Sequence, residues 1–252
     1  MSEAEDLVRL ASADNFRDVA GPGHRAADGT PLRAGVYFRS NELRLTDEDA
    51  ASIAALGVSA IHDLRTSAEV EHHPGVPVPG AVRHHVDLLG IPLEEMASLS
   101  DADAAVALME RVYRAFVDEP GPRAALGRLL TALADDGVHL FHCSAGKDRT
   151  GWTAALLLHV AGVDDDVVLE DYLRTNERAA GSRAATLELI EQGAGPGRAQ
   201  VFEPVLLADA AYLHTAYDAV EARYGTRERY LAEGLGLDDD VLSTLRARLR
   251  QD

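Results

Sequence analysis

Cysteine is nearly absent from this chain: its 252 residues include one, Cys143. A single cysteine excludes a disulfide framework within the chain and any zinc site built from several cysteines. Cys143 is therefore either a small buried hydrophobic residue or a reactive thiol. The residues around it must decide between these two interpretations.

Long apolar runs are also missing. No stretch of about 18 apolar residues occurs, and the residues after Met1 lack the charged and apolar regions of a cleavable export signal. The hydrophobic content of 46% is nevertheless sufficient to build one sizeable core. We therefore expect a single domain over residues 1–252, cytoplasmic by default and without stable insertion into a membrane.

Basic residues are scarce relative to acidic ones, with 24 Lys and Arg against 42 Asp and Glu and a formal net charge of -18. Such a chain is not expected to bind nucleic acid through a broad basic face, because neutralising phosphates requires clustered cations. A role in phosphate chemistry would require positive charge concentrated at one place. The candidates for this concentration are Arg39, Arg65, Lys147 and Arg149.

The distribution of apolar residues predicts an α/β fold. Short β-branched and apolar runs predict strands at residues 36–38, 58–64, 81–88 and 138–141. Almost everything after Asp165 is predicted to be helical, apart from a glycine-rich stretch at 193–197. The expected architecture is a mixed or parallel central sheet flanked by helices, with a helical C-terminal part.

Helix starts are marked by capping patterns. Thr46 with Asp49, and Thr66 with Glu69, place a hydroxyl three residues before a carboxylate. The helices predicted from these and similar signals cover residues 47–56, 67 to just before Pro74, 101–118, 123–135 and 150–161.

The loop after the last predicted strand carries the strongest functional signal. Cys143 is separated by five residues from Arg149, which opens a helix. This spacing lets the backbone curl so that successive N–H groups point at one anion, at the positive end of the helix dipole. The same groups stabilise a thiolate, whose ordinary pKa of about 8.5 would otherwise leave it mostly protonated. Ser144 and Ala145 are small, as a tight cradle requires, and Gly146 permits a positive φ.

Two further residues of the loop have predicted roles in phosphoryl transfer. Arg149 presents a planar fork that can hold two phosphoryl oxygens in the transition state, which a lysine cannot do. Thr150 can donate its hydroxyl to the sulfur when the thiolate leaves. The loop therefore predicts a nucleophile, Cys143, and a phosphate cradle formed by residues 144–150.

This loop resembles the Cys-x5-Arg-Ser/Thr signature of the protein tyrosine phosphatase superfamily. Its longer form, His-Cys-x-Ala-Gly-Lys-Asp-Arg-Thr-Gly, is similar to that of the bacterial PtpB-type phosphatases. The segments that also match this family in order and spacing are Asn15-Phe16-Arg17-Asp18, Tyr37-Phe38-Arg39-Ser40 with Leu43, Asp63-Leu64-Arg65-Thr66 with Glu69, Asp171-Tyr172-Leu173 with Asn176, and Arg229-Tyr230-Leu231. The resemblance therefore covers essentially the whole chain.

The resemblance implies an activity and its substrates. PtpB-type enzymes hydrolyse phosphotyrosine, and some members also hydrolyse phosphoserine, phosphothreonine and phosphoinositides, through a phosphocysteine intermediate without a metal or other cofactor. We therefore expect phosphorylated proteins or phosphoinositides as substrates and phosphate as a bound anion. Relatives of this type can be exported without a cleavable signal, so secretion by such a route stays open.

The residue that protonates the leaving group is left open between two aspartates. The Trp-Pro-Asp loop familiar in the superfamily is absent, since the only tryptophan, Trp152, is followed by Thr153. Asp148 is the first candidate, because resemblance to PtpB-type enzymes and myotubularin phosphatases gives the loop aspartate this role. Asp63 ends a predicted strand, where it and Arg65 would face the crevice.

Other cations near the loop have alternative interpretations. Lys147 would supply a second positive charge for a doubly charged or inositol head-group substrate. Arg39, Arg65 and Asp18 form either a structural ion-pair network beneath the cradle or direct substrate contacts. The paired histidines His72-His73 and His84-His85 are not expected to bind metal, because neighbouring side chains diverge.

Two alternatives to a phosphatase are a phosphate-binding module without catalysis and a rhodanese-like sulfurtransferase. The presence of Cys143, Asp148 and Arg149 favours turnover over binding alone. Sulfur transfer does not call for the Cys-x5-Arg-Thr spacing. A further hypothesis concerns residues 200–225: core packing is the default for their apolar face, while the resemblance implies a helical lid over the active site.

Overall fold

A computed structural model describes residues 10–251 and contains a five-stranded sheet surrounded by helices. The strands are β1 (Arg17–Asp18), β2 (Tyr37–Ser40), β3 (Val58–Asp63), β4 (Val82–His85) and β5 (Val138–His142). The helices are α1 (Asp47–Ala55), α2 (Ser67–His72), α3 (Leu93–Ala97), α4 (Ala102–Asp118), α5 (Pro120–Leu133), α6 (Asp148–Val160), α7 (Asp165–Arg178), α8 (Ala180–Ala194), α9 (Arg198–Leu206), α10 (Ala210–Tyr224), α11 (Arg227–Arg229), which continues as a π-helical turn (Tyr230–Gly234), and α12 (Asp239–Leu249).

The sheet has the order β1-β2-β5-β3-β4, with β1 antiparallel to β2 and all other pairs parallel. The prediction of a mixed sheet flanked by helices is thus confirmed. The parallel strands end in register, because Ser40 and Asp63 both pair with His142 and Asp63 also pairs with His85. Four carboxyl ends therefore lie along one edge of the sheet, where ligands bind in folds of this kind.

Hydrophobic residues cover both faces of the central strand β5. Phe141 belongs to the larger core cluster, built mainly from α4, α5, α6, α10 and α12, whereas Leu140 belongs to a smaller cluster with α1. Both side chains are completely buried. Since alternate residues of a strand point to opposite faces, this burial fixes the register of β5 and with it the position of the loop that follows.

The predicted capping signals are confirmed. Thr46 accepts a hydrogen bond from the N–H of Asp49 at the start of α1, and Thr66 and Glu69 form a complete capping box at the start of α2. The predicted strand at 81–88 is shorter than expected, because β4 lies at the sheet edge and pairs only with β3. None of the helices between residues 10 and 251 has both the length and the apolar character needed to cross a bilayer.

Candidate active site

The cysteine loop connects β5 to α6 at the carboxyl edge of the sheet. Cys143 follows directly after the last residue of β5 and is 2% exposed, whereas Ala145 reaches the surface. Gly146 has φ +67°, and a Cβ there would lie 2.6 Å from the backbone N of Asn41 and the O of Ser40. Glycine is therefore required at this position both for the backbone conformation and for the close approach of β2.

The carbonyl groups of residues 144–146 are held by donors outside the loop. The N–H of Glu42 donates to the carbonyl of residue 144 at 3.0 Å. The amide Nδ2 of Asn15 donates to the carbonyls of 145 and 146 at 3.2 and 3.0 Å, and Nη2 of Arg39 donates to the carbonyl of 146 at 3.0 Å. Because the N–H and C=O of a peptide unit point in opposite directions, these bonds turn the N–H groups of the loop to its other side.

The N–H groups of residues 144–150 have no acceptor among the residues that the structure describes. They lie at the N-terminus of α6, where the helix dipole adds partial positive charge, and such a run of unpaired N–H groups is of the kind that binds anions. Asn15 was not assigned a role by the sequence reasoning, although its segment matches the family. Its bonds to carbonyls 130 residues away could not be read from local patterns.

A buried ion-pair network lies behind the loop. Asp171 on α7 accepts from Nε of Arg17 at 3.1 Å and from Nη1 of Arg39 at 2.7 Å. Burial, together with the neighbouring Arg17, lowers the pKa of Arg39 to about 10. For Asp171, burial opposes ionisation, but Arg17 and Arg39 outweigh it and lower its pKa to about 2. Of the two alternatives for Arg39, the structure shows the structural network, with Asp171 in place of the expected Asp18.

Asp18 has a different role. Its carboxylate accepts from the N–H groups of Ala20 and Gly35, at 2.8 and 2.6 Å, and so ties the turn after β1 to the segment before β2. It contacts no arginine among the described ion pairs. Of the two alternatives left open for Asp18, an ion-pair network with Arg39 and Arg65 is therefore not what the structure shows.

Arg149 is held by Glu69 in a two-pronged ion pair. Its Nη1 and Nη2 donate to the two carboxylate oxygens of Glu69 at 2.7 and 2.8 Å, and Nη1 also lies 3.3 Å from the carbonyl of Leu64. Burial opposes the charge of Arg149, yet the bonds to Glu69 raise its pKa above the ordinary value. Burial likewise opposes ionisation of Glu69, but Arg149 lowers its pKa to about 2. The pair is thus fully charged at neutral pH.

Glu69 performs two functions with one carboxylate. It completes the capping box of α2 by accepting from the N–H of Thr66 at 2.8 Å, and it accepts from the hydroxyl of Ser144 in the loop. The sequence identifies the cap but gives no sign of the contact with Arg149, 80 residues further on. The short helix α2 thereby fixes both the position and the orientation of the guanidinium group.

The surroundings of Cys143 contain two groups with unused hydrogen-bonding capacity. The hydroxyl of Thr150 is buried without a partner among the described residues, and so is Nε2 of His142. Nδ1 of His142 lies 3.3 Å from the carbonyl of Cys143, and burial lowers the pKa of this histidine to about 4. A neutral imidazole therefore lies behind the cysteine, and Thr150 is free to donate.

Asp148, the first candidate for the acid, lies at the rim of the loop with its side chain 19% exposed. Its Oδ1 accepts from the hydroxyl of Tyr113 at 2.9 Å and lies 3.2 Å from Nζ of Lys147. No described residue contacts its Oδ2 within hydrogen-bonding distance. One carboxyl oxygen is thus fixed while the other is available.

Lys147, the single lysine of the chain, is turned toward the C-terminal helices. Its Nζ donates to the carbonyls of Val205 and Leu207 at 2.6 and 2.9 Å and lies 5.7 Å from the ring centre of Tyr212. The side chain is 1% exposed. In this conformation the expected second cation is therefore bound to the turn between α9 and α10.

Asp63 and Arg65, the second candidate acid and its neighbour, pair with each other. Nε and Nη2 of Arg65 donate to the two oxygens of Asp63 at 2.9 and 2.8 Å, and Arg83 contacts the same carboxylate. Nη1 of Arg65 is bound by Glu42 and by the carbonyl of His73. Burial opposes ionisation of Asp63, but Arg65 lowers its pKa below the ordinary range. A carboxylate held in this way keeps no proton to donate at neutral pH. Four of the five N–H donors of Arg65 are bound, and its side chain is 1% exposed, so this structure does not present it to a substrate.

Residues 200–225 do not form one continuous helix. They are divided between α9 and α10, and the turn between them is fixed by Asn176, which accepts from the N–H of Ala208 and donates to its carbonyl. Leu213 and Val220 on α10 are buried in the main core. The default of core packing therefore holds for α10, while the α9–α10 turn contacts the loop through Lys147.

A sheet whose central strand leads directly into a buried cysteine, followed by an N–H nest and an arginine at a helix start, resembles the arrangement of cysteine-dependent phosphatases. The model of the tyrosine phosphatase family matches residues 8–251, and the chain belongs to this family.

Relatives match along nearly the whole chain. The triple specificity protein phosphatase PtpB of Mycobacterium tuberculosis is 33% identical, over 95% of this chain and 98% of the relative. A tyrosine-protein phosphatase of Nostoc commune is 29% identical, over 97% of this chain and 89% of the relative. The resemblance to PtpB-type phosphatases predicted from the loop is thereby confirmed.

Proposed function

We propose that this chain hydrolyses phosphate monoesters with Cys143 as nucleophile, Arg149 as the clamp of the transition state and Asp148 as the general acid. The observation that carries the proposal is the orientation of the loop. Asn15, Arg39 and the N–H of Glu42 hold its carbonyls on one side, so that the N–H groups of the loop face the opposite side and remain available to an anion. Such a nest stabilises both a thiolate and a phosphoryl group.

The first step forms a bond between sulfur and phosphorus. The thiolate of Cys143 attacks phosphorus while the bond from phosphorus to the ester oxygen breaks. The leaving oxygen takes a proton from Asp148, so an alcohol or phenol departs and a carboxylate remains. Arg149 holds two of the equatorial oxygens, whose charge increases in the transition state.

The second step removes the phosphoryl group from sulfur. Asp148, now ionised, accepts a proton from a water molecule, and the resulting oxygen attacks phosphorus. The bond between sulfur and phosphorus breaks, and the electron pair returns to Cys143. The buried hydroxyl of Thr150, which has no other partner among the described residues, donates to the departing thiolate. Inorganic phosphate is released and the free enzyme is restored.

We expect Asp148→Asn to slow poor leaving groups much more than good ones. An amide cannot supply a proton, and phenol, whose pKa is close to the value of about 10 for tyrosine, needs one, whereas 4-nitrophenol leaves readily without it. The expected loss of kcat is about 10²–10⁴-fold for phenyl phosphate and less than about tenfold for 4-nitrophenyl phosphate. Equal losses for the two esters would remove Asp148 as the acid.

The substrates are proposed to be phosphotyrosine proteins and, in addition, phosphoserine or phosphothreonine proteins and phosphoinositides. This range follows the name of the mycobacterial relative, a triple specificity phosphatase, together with the cation next to the loop. A panel of phosphopeptides and phosphoinositides, assayed with the wild type and with Cys143→Ser in parallel, tests the range. A compound from which the wild type and Cys143→Ser release phosphate at the same rate is not a substrate of this site.

Lys147 is proposed to bind a second phosphate of an inositol head group after leaving the carbonyls of Val205 and Leu207. Lys147→Met keeps the apolar stem and removes the charge. We expect activity on a bisphosphorylated phosphoinositide to fall about tenfold more than activity on a phosphotyrosine peptide, which corresponds to about 1.4 kcal/mol of selective attraction. Lys147→Arg is the matched control and should preserve most of the preference. Identical losses on both substrates would leave the lipid-directed role without support.

Two rival functions remain distinguishable by experiment. A phosphate-binding module would bind phosphate but release none from 4-nitrophenyl phosphate, and a sulfurtransferase would act on thiosulfate instead.

Three further parts of the proposal concern the whole chain. Residues 1–252 form one domain, the α9–α10 turn is part of a lid over the site, and the protein is cytoplasmic. If deletion of the α9–α10 turn left the fold, the access of substrate and the sensitivity to peroxide unchanged, that result would contradict the lid.

A further inference from the structure

Asp148 does not use its carboxylate in the way its position predicts. As the first residue of α6 it lies beside N–H groups that have no partner in the helix, and a carboxylate there is ordinarily stabilised by turning toward them. Its described contacts, with the hydroxyl of Tyr113 and Nζ of Lys147, include no N–H group of the helix. Instead Oδ1 accepts from the hydroxyl of Tyr113, which reaches it from α4 at 2.9 Å. The orientation of the carboxyl group is therefore set by another helix.

The hydroxyl of Tyr113 belongs to a chain of hydrogen bonds with a defined direction. Its single proton is donated to the acceptor Asp148, so the hydroxyl of Tyr172, 2.7 Å away, must donate to Tyr113. As long as Oδ1 of Asp148 is the acceptor, the two hydroxyls therefore donate in one direction, from Tyr172 to Tyr113 and from Tyr113 to Asp148.

Both tyrosines are rigidly held. Tyr113 and Tyr172 are 0% and 1% exposed, and their rings meet edge to face with centres 6.3 Å apart. Tyr113 also packs edge to face against Phe116 at 5.5 Å. Burial raises the pKa of each phenol well above the ordinary value, so both stay protonated and both remain donors. A buried hydroxyl turned away from Asp148 would lose its partner, which makes other orientations unfavourable.

We propose that Tyr113, supported by Tyr172, is a positioning residue for catalysis: it holds Oδ1 of Asp148 and thereby assigns the transferable proton to Oδ2. A carboxyl oxygen that accepts from a fixed phenol, and lies 3.2 Å from the ammonium of Lys147, is the unfavourable place for that proton. Oδ2 has no such neighbour among the described residues. The inference rests on the proposed function, in which Asp148 is the acid.

The test is Tyr113→Phe, which removes one hydroxyl and keeps the ring that packs in the core. We expect kcat for phenyl phosphate to fall about tenfold, because a less fixed carboxyl group transfers its proton less efficiently, while kcat for 4-nitrophenyl phosphate changes by less than about twofold. Tyr172→Phe should give a smaller loss with the same dependence on the leaving group. A purely structural defect would slow both esters equally, and that result would overturn the inference.

The same substitution in the Asp148→Asn background decides whether Tyr113 acts through Asp148. Once the acid is absent, Tyr113→Phe should produce no further loss with phenyl phosphate. A full tenfold loss in that background contradicts the proposal. If Tyr113→Phe does not fold, Tyr172→Phe measured in the wild type and in Asp148→Asn provides the same test.

A matched control is available on the same side of the core. Tyr230 is fully buried, and its hydroxyl donates to the carbonyl of Phe116 at 3.0 Å, without contact to Asp148. Tyr230→Phe should show no dependence on the leaving group, and such a dependence would contradict the specific role of Tyr113. A wild type without phosphatase activity would refute the proposed function itself, whereas an active wild type with a leaving-group effect in Asp148→Asn but not in Tyr113→Phe would refute only this inference.

Discussion

Replacing Cys143 by serine is expected to lower kcat for 4-nitrophenyl phosphate by about 10⁴-fold or more. The hydroxyl of serine stays protonated at neutral pH, and it is a much poorer nucleophile toward phosphorus than a thiolate. No other cysteine is present to replace it. The substitution changes one buried atom and breaks no hydrogen bond of the loop, so the free energy of unfolding should change little. Release of 4-nitrophenol under saturating substrate is the measurement.

Binding separates loss of chemistry from loss of the site. Because the N–H groups of residues 144–150 do not depend on the sulfur, Cys143→Ser should still bind inorganic phosphate with an affinity within about tenfold of the wild type, measured by calorimetry. The protonation state of the proposed nucleophile can also be measured directly. Because the chain has one cysteine, any thiol titration of the folded wild type reports on Cys143 alone. A serine variant that retains more than about one hundredth of the wild-type kcat would show that the nucleophile lies elsewhere.

The parts of the site that the sequence predicts are those formed by neighbouring residues. The curled loop, the requirement for Gly146 and the capping box of Thr66 and Glu69 all depend on hydrogen bonds and dihedral angles within a few positions. The rule that parallel strands end at one edge predicts Asp63 at the edge where ligands bind, and β3 does end there, with Asp63 paired to His142. Local chemistry and one topological rule were therefore sufficient to predict the loop, the capping box and the edge of the sheet at which β3 ends.

The partners of these residues come from distant parts of the chain. Arg149 is paired by Glu69, the loop carbonyls are held by Asn15, and Arg39 is neutralised by Asp171, across separations of 80 to 132 residues. No periodicity or spacing encodes such contacts. The two-residue strand β1 and the five-residue helix α3 were likewise missed, because elements this short carry almost no pattern.

The sequence predicts that four cations concentrate positive charge near the loop, and the structure shows that other groups of the protein hold each of them. Arg39 and Arg65 are each neutralised by a buried aspartate, and Lys147 is bound to backbone carbonyls. In the proposed function the attraction for a phosphoryl group therefore comes from the oriented N–H groups and from Arg149, whose ion pair with Glu69 is more exposed than the aspartate pairs of Arg39 and Arg65. Such preorganised dipoles need no counterion to leave before the substrate binds, which suits an otherwise acidic protein.

This distribution of charge makes Arg149 the second residue whose loss should have a very large effect. Arg149→Lys is expected to lower kcat for 4-nitrophenyl phosphate by about 10³–10⁴-fold, because a lysine keeps the charge but cannot hold two equatorial oxygens at once. The KM should rise much less, since the N–H groups that bind the ground state are unchanged. Steady-state kinetics with a single ester separates the two parameters.

Glu69→Gln is the informative comparison, because it keeps the shape of the side chain and removes its charge. Arg149 would lose its ion pair but not its fork, so we expect a loss of kcat of about tenfold, far smaller than that of Arg149→Lys. If Glu69→Gln were as damaging as Arg149→Lys, the carboxylate would have a chemical role beyond orienting the guanidinium. If Arg149→Lys changed only KM, the arginine would bind substrate and transition state equally, and the clamp proposed here would not exist.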